Sequence, residues 1–185
     1  YRFRLQKLTP ASDSVARDHR DVVLVSSADG GHTWSKKILV NDDPPRFDNS
    51  LPEVAVDGLG RVHVTWYDRR DDVEHGMNYN VYWTHSTDGG ESFAPSVRLS
   101  ETQSVIERGH RARLGDRMGL AGTDEGIVAA WTFATTDWDV DQNDHDIHAR
   151  AADLRSPAAG RDLNATAAIG QVNLSWRVIE PQVLW

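Results

Sequence analysis

An all-β chain, a β-propeller of four-stranded antiparallel blades, is predicted by three features of the sequence. A unit of about sixty residues returns along the chain, its apolar runs are short and divided by Gly/Asp turns, and helical periodicity is absent. The returning turn is the plainest of these. Ser26 to Trp34 read SSADGGHTW, and 59 residues later His85 to Phe93 read HSTDGGESF.

The elements follow in order. The run DVVLVSS, Asp21 to Ser27, reads as the third strand of a first blade, and KKILV, Lys36 to Val40, as its fourth. VAVDGLGRVHVTWYD, Val54 to Asp68, is a strand, a Gly/Asp turn and a second strand that carries Trp66. NVYWTHS, Asn80 to Ser86, and SVRLS, Ser96 to Ser100, complete that second blade. MGLAGTDEGIVAAWTF, Met118 to Phe133, repeats the first half with Trp131 in place of Trp66, and DIHARA, Asp146 to Ala151, supplies a third strand. The propeller region is residues 1–155, with blades at about 1–48, 49–100 and 101–155, the first lacking its innermost strand. Three blades do not close a ring. About six are expected, from missing blades or from a second chain. A sandwich is the competing all-β architecture.

Residues 156–161 read as a linker, and 162–185 as two alternating strands about a Gly-containing turn. Two strands alone bury no core, so they either begin a further domain or pack on the propeller.

Composition narrows the partners. The chain has 185 residues, net charge −8 and no Lys/Arg-rich block, which argues against nucleic acid. No apolar run approaches the ~18 residues of a membrane-spanning helix, so no membrane insertion is expected. Cysteine is absent, which removes disulfide and thiol chemistry. Seven tryptophans against two methionines give large rigid apolar surface, which suits stacked sheets.

The repeated turn needs backbone at positive φ, which paired glycines supply, and an aspartate that folds back on nearby N–H groups. Ser27, Asp29, Gly31 and Trp34, and again Ser86, Asp88, Gly90 and Phe93, are expected to form a structural staple, the aromatic residue plugging the gap between sheets. These residues match the Asp-box, S-x-D-x-G-x-[TS]-[WF], and so resemble the sialidase-like (BNR repeat) propellers. LPEVAVDGLGRVHVTWYDRRDD, GDRMGLAG and AAWTF with DIHAR downstream resemble secreted bacterial members of that family. The C-terminal DLNATAAIGQVNLSW resembles the opening strands of a fibronectin type III domain.

A strand meander puts alternate loops on opposite rims. The turns Asp57 to Gly60 and Thr123 to Gly126 share one rim with the Asp-box turns and are short. The segments 41–49, 68–76, 101–116 and 134–144 share the other, and they are long and charged. Candidate substrate-binding residues there are Arg46, Arg69, Arg70 and His75, with Arg117 just inside the next strand, and candidate acids are Asp68 and Asp116. The resemblance implies a secreted or cell-surface protein that acts on a glycan or glycoprotein. If it is an enzyme, it implies a retaining sialidase with arginines clamping a sugar carboxylate. The family's R-I-P motif and a tyrosine/glutamate pair are absent here, which leaves a non-catalytic interaction or adhesion module as the alternative. No cofactor is required. In the acidic loop, Asp137, Asp139 and Asp141 have the alternating spacing that calcium accepts, without the glycine and glutamate of an EF-type loop.

Overall fold

The computed structural model describes residues 2–8, 20–74, 76, 78–105, 118–134, 145–154, 161–168 and 171–177, with 2–8, 161–168 and 171–177 described as paired strands. Three antiparallel sheets follow one another along the chain, and there is no helix among the described residues. The first holds β1 (Arg2–Leu8), β2 (Asp21–Ser27) and β3 (Ile38–Leu39). The second holds β4 (Asn49–Val56), β5 (Val62–Asp68), β6 (Asn80–Ser86) and β7 (Val97–Arg98). The third holds β8 (Gly119–Gly122), β9 (Gly126–Ala134), β10 (His145–Asp153), β11 (Arg161–Ala168) and β12 (Gln171–Arg177).

β2 and β6 coincide with the runs predicted for them. The predicted fourth strands are reduced to two residues each, Ile38–Leu39 and Val97–Arg98. Bonds from Ser35 N–H to Ser26 O at 2.8 Å and from Ala94 N–H to His85 O at 2.9 Å close the turns just ahead of these runs. β1 was not predicted. It alternates Phe3 and Leu5 with Arg2, Arg4 and Gln6 and pairs with β2 along its whole length. The C-terminal strands pair with each other, and β11 also pairs with β10 through Ala149↔Leu163, Arg150↔Asp162 and Ala151↔Arg161. Their backbone therefore continues the third sheet.

The central strands of the second sheet, β5 and β6, are buried on both faces. Every residue of β5 is buried, an outcome expected when a strand's two alternating sets each meet another sheet. Val64 and Trp66 join Tyr82, Val22, Leu24 and Val40 in a cluster between the first and second sheets, with Val54 and Phe93 against it. Tyr67, Tyr79, Val81, Trp83 and Leu99 join Met118, Ile127, Ala129 and Trp131 between the second and third. The two seams use counterpart positions of the repeat. Val22, Leu24 and Val40 correspond to Val81, Trp83 and Leu99, and Trp66 corresponds to Trp131.

Two backbone details position the rims. In β4 the register slips between Ser50 and Glu53, where Leu51 adopts φ 47°, a left-handed conformation costly for a residue with a branched side chain. Its side chain packs against the second seam. At the opposite end, Gly122 lies against the backbone of Val56 so closely that a Cβ there would stand 2.1 Å from the Val56 carbonyl oxygen. Only glycine permits that approach of β8 to β4.

Candidate functional site

The register separates the two rims. Val62 pairs with Ser86 at one end of β5 and β6, and Asp68 pairs with Asn80 at the other. Asn49 pairs with Asp68, which brings the connection between the first two sheets to the same end as the Arg69–Arg70 loop.

At that end, Asp68 is fully buried and its carboxylate is enclosed. Oδ2 accepts from Trp66 Nε1 at 2.8 Å and from Arg70 Nε and Nη2 at 2.9 and 2.7 Å, and Oδ1 accepts the Arg70 backbone N–H at 2.8 Å. Arg70 reaches back over the Tyr82 ring, 4.2 Å from its centroid, and its Nη1 donates to Asp42 Oδ1 at 2.7 Å. Asp42 in turn accepts from Ser96 N–H at 2.8 Å. Arg70 thus clasps the first-to-second connection onto the second sheet. Burial opposes its charge, but the neighbouring Asp68 carboxylate overrides that and holds the guanidinium firmly protonated.

Asp43 stands beside this pair, its side chain 2% exposed and 3.7 Å from Arg70 Nη2. Its Oδ1 accepts from Asn41 Nδ2 at 2.7 Å and Asn49 Nδ2 at 3.0 Å. Burial, and then the charge of Asp68, push its pKa up to about 6 against those bonds. The sequence placed the segment 41–49 on this rim but did not single out Asp42 or Asp43. Two consecutive aspartates between Asn41 and a Pro-Pro pair, at the exit of a strand, were the available signal.

The open part of the rim is carried by Arg46 and Arg69. Arg46 is exposed, its Nη2 donating to Val73 O at 3.0 Å and its guanidinium 5.4 Å from the Phe47 ring centre. Arg69 is half-buried, with Nη1 3.4 Å from Gly76 O. Burial lowers its pKa, opposed by the charge of Asp48. Asp116, Arg117, His75, Asp137, Asp139 and Asp141 lie outside the described residues. Among the described residues no group of three or more His, Asp or Glu side chains is arranged to hold a metal ion.

The other rim is built for rigidity. In each Asp-box turn the serine hydroxyl donates to the aspartate, at 2.7 Å for Ser27 to Asp29 and 2.6 Å for Ser86 to Asp88. The same hydroxyls accept the N–H of Gly31 and Gly90, both at 2.8 Å. Gly30 and Gly31 have φ 76° and 97°, Gly89 and Gly90 78° and 93°. Asp29 binds the Thr33 N–H and hydroxyl and Asp88 those of Ser92; the Thr33 bonds on Asp29, and the Ser86 and then the Ser92 bonds on Asp88, hold both carboxyls below the usual range. Phe93 packs against the first seam, whereas Trp34 is 42% exposed.

Beside these turns lies a network that the sequence reading did not single out. Asp57 accepts from Arg61 Nε at 2.6 Å and from His63 Nε2 at 3.0 Å, and Trp83 Nε1 donates to His63 Nδ1 at 3.2 Å. With Nδ1 accepting, His63 is the neutral Nε2–H tautomer, and burial lowers its pKa against the pull of Asp57. Burial resists the charge on Asp57, yet the bonds from His63 and Arg61 hold its pKa at about 2. Arg61 Nη2 also donates to Glu125 O, and Gly58 N–H to Thr123 O at 2.7 Å, stitching the second sheet to the third.

No protein-family model matches the chain. A search of curated proteins likewise finds no match.

Proposed function

We propose that the three sheets are successive blades of a sialidase-like β-propeller, secreted or at the cell surface, that binds a glycan or glycoprotein through its long-loop rim. Two features support the blade reading. Each Asp-box turn closes on itself through the same serine and aspartate bonds, and the two seams reuse the same repeat positions. A ring of about six such blades would put the long loops of every sheet on one crown.

Binding, rather than hydrolysis by Asp68, is the reading the geometry favours, and one observation carries it. Asp68 has no exposed surface, and its acceptor positions are filled by Trp66 and Arg70. A general acid must reach the leaving oxygen. Arg46 and Arg69 supply cationic donors at the open rim, the chemistry that takes a sugar carboxylate. Calorimetric titration with a sialoside tests this, alongside a fluorogenic sialoside assay from pH 4 to 8. Saturable binding that falls at least about tenfold in the Arg46→Ala, Arg69→Ala double variant, without turnover, is expected. Turnover abolished by Asp68→Asn in a folded chain would overturn it.

A further inference from the structure

The second sheet carries titratable groups at repeat positions that are filled without them elsewhere. Trp83 has Leu24 as its counterpart in the first sheet and His85 has Ser26, while His63 has Val128 as its counterpart in the third. Here two histidines are brought against one tryptophan. Ring centroids stand 5.7 Å apart for His63 and Trp83, 5.6 Å for Trp83 and His85, and 6.1 Å for the two histidines.

His63 is fully buried, and both of its ring nitrogens are engaged. Nε2 lies 3.0 Å from Asp57 Oδ2, and Nδ1 accepts the Trp83 indole N–H at 3.2 Å. A second proton has only the Nδ1 lone pair to take, where it would point at another N–H, so the bond to Trp83 is lost. Trp83 is part of the cluster that joins the second sheet to Met118, Ile127 and Trp131 of the third. The charges around His63 do not relieve the conflict. From the turn between β4 and β5, Asp57 attracts a proton, but its Oδ2 already accepts from Arg61 Nε at 2.6 Å, and that guanidinium repels one. From β6, His85 adds a like charge when protonated. From β4, Ala55 pairs with His63, and Glu53 pairs with Thr65 two residues further along. In the third sheet, Glu125 O accepts from Arg61 Nη2, the Asp124 backbone lies against Gly58, Arg150 donates to Leu99 O and His148 stacks on Phe133.

We propose that His63, Trp83 and His85 form an acid-operated latch: proton uptake at His63 Nδ1 breaks the Trp83 bond and releases the short-turn end of the seam between the second and third sheets, while the first seam stays closed. Burial lowers the proton affinity of both histidines in the closed seam. What the latch contributes is therefore full above the ordinary histidine value of about 6.5 and is lost as pH falls below it. Asp57, held at about 2, stays ionised throughout. The first seam responds in the opposite sense, because Asp43, its pKa raised to about 6, sheds its buried charge in the same range. Acid thus loosens one seam and not the other.

Hydrogen exchange of the full 185-residue chain, read by mass spectrometry at pH 7.5 and 5.0 and corrected for the intrinsic pH dependence of amide exchange, tests the latch. Peptides covering the turn at 122–126 and the paired ends at 62–63 and 85–86 should exchange about ten- to thirtyfold faster at pH 5.0. A proton taken up only in the open form favours that form by up to about tenfold per pH unit below about 6.5. Peptides from β2 should change by less than about threefold. His63→Gln keeps an N–H for Asp57 and takes no charge, so its turn exchange should differ by less than about threefold between the two pH values. Nitrogen NMR of the histidine rings and indoles in the unaltered chain gives a reading that stands even where the variant does not fold. The hydrogen-bonded Trp83 indole N–H signal should disappear in step with proton uptake at His63 Nδ1. Four results overturn the proposal: equal turn exchange at the two pH values, β2 opening as much as the turn, acid opening undiminished in a folded His63→Gln chain, or a His63 that takes its proton while the Trp83 signal holds.

Discussion

The seam between the first and second sheets and the seam between the second and third are made from counterpart residues, yet they are secured at opposite rims by different forces. The first is clasped at the long-loop rim by charge, Arg70 holding the buried Asp68 and Asp43 carboxylates and the exposed Asp42. The second is stitched at the short-turn rim by backbone bonds and close approach, through Gly58, Thr123, Gly122 and Val56. Its hydrophobic cluster is also the larger and more aromatic, with Tyr67 edge-on to Tyr79 at 4.7 Å. A repeat fixes which positions meet across a seam. It leaves open how the ends of the seam are tied.

The largest contrast is expected at the arginines. Arg70→Met leaves Asp68 and Asp43 buried without their cation and should cost about 3–5 kcal/mol in denaturant unfolding. Arg150 ties the second seam by a single bond to Leu99 O at 2.7 Å, so Arg150→Met should cost only about 1 kcal/mol. Equal losses would break the distinction between the seams.

The paired tryptophans sharpen it. Trp66 Nε1 donates to Asp68, whereas Trp131 Nε1 is buried without a partner among the described residues. Replacing each by Phe removes similar area but takes a hydrogen bond from a buried carboxylate only in the first seam, where Arg70 still holds Asp68. Trp66→Phe should therefore be the more destabilising by about 1–3 kcal/mol. Near-equal values would show that the indole bond contributes little.

Asp43 gives the first seam an unusual pH response. Its pKa is raised to about 6, so its stabilising contribution is full below the ordinary carboxyl range and is lost as pH rises through 6. Asp43→Asn keeps an oxygen for Asn41 and Asn49 and removes the charge. It should raise stability by about 2 kcal/mol at pH 7.5 and by nothing at pH 4. A gain that persists at pH 4 would contradict this cause.

The smallest effect, and the opposite sign, is expected at the staple turns. Asp29 and Asp88 have lowered pKa values through their bonds to Thr33 and to Ser86 and Ser92, so what they contribute is present at neutral pH and fades in acid. Asp29→Asn and Asp88→Asn should each lower the melting temperature slightly at pH 7, and by less as the pH falls. A larger loss in acid than at neutrality would refute that account.

Much of the β-structure was legible because it depends on local pattern. Apolar runs such as DVVLVSS and NVYWTHS lie between turn signals, and they form strands at the expected bounds. β1 was missed although Phe3 and Leu5 alternate with Arg2, Arg4 and Gln6 as in a half-buried strand; that signal spans only five residues, and the pairing with β2 extends it over seven. The separation of the rims was legible from connectivity, since a meander alternates its turns. What was not legible is which charged loop residues fold inward. Arg69 and Arg70 are neighbours in sequence, yet only Arg70 meets Asp42, 28 residues earlier, and lies over Tyr82. That choice is tertiary, made by the seam that Arg70 bridges.

The central claim, two independent seams on opposite faces of the middle sheet, is tested most directly by a double-mutant cycle. Val64→Ala weakens the first seam and Ile127→Val the second, while Tyr67→Leu with Tyr79→Leu provides a touching pair within the second. The losses at Val64 and Ile127 should add within about 0.5 kcal/mol, and the tyrosines should couple by more than that. A coupling above about 1 kcal/mol between Val64 and Ile127 would mean that they share one core, and the stacked arrangement would be wrong.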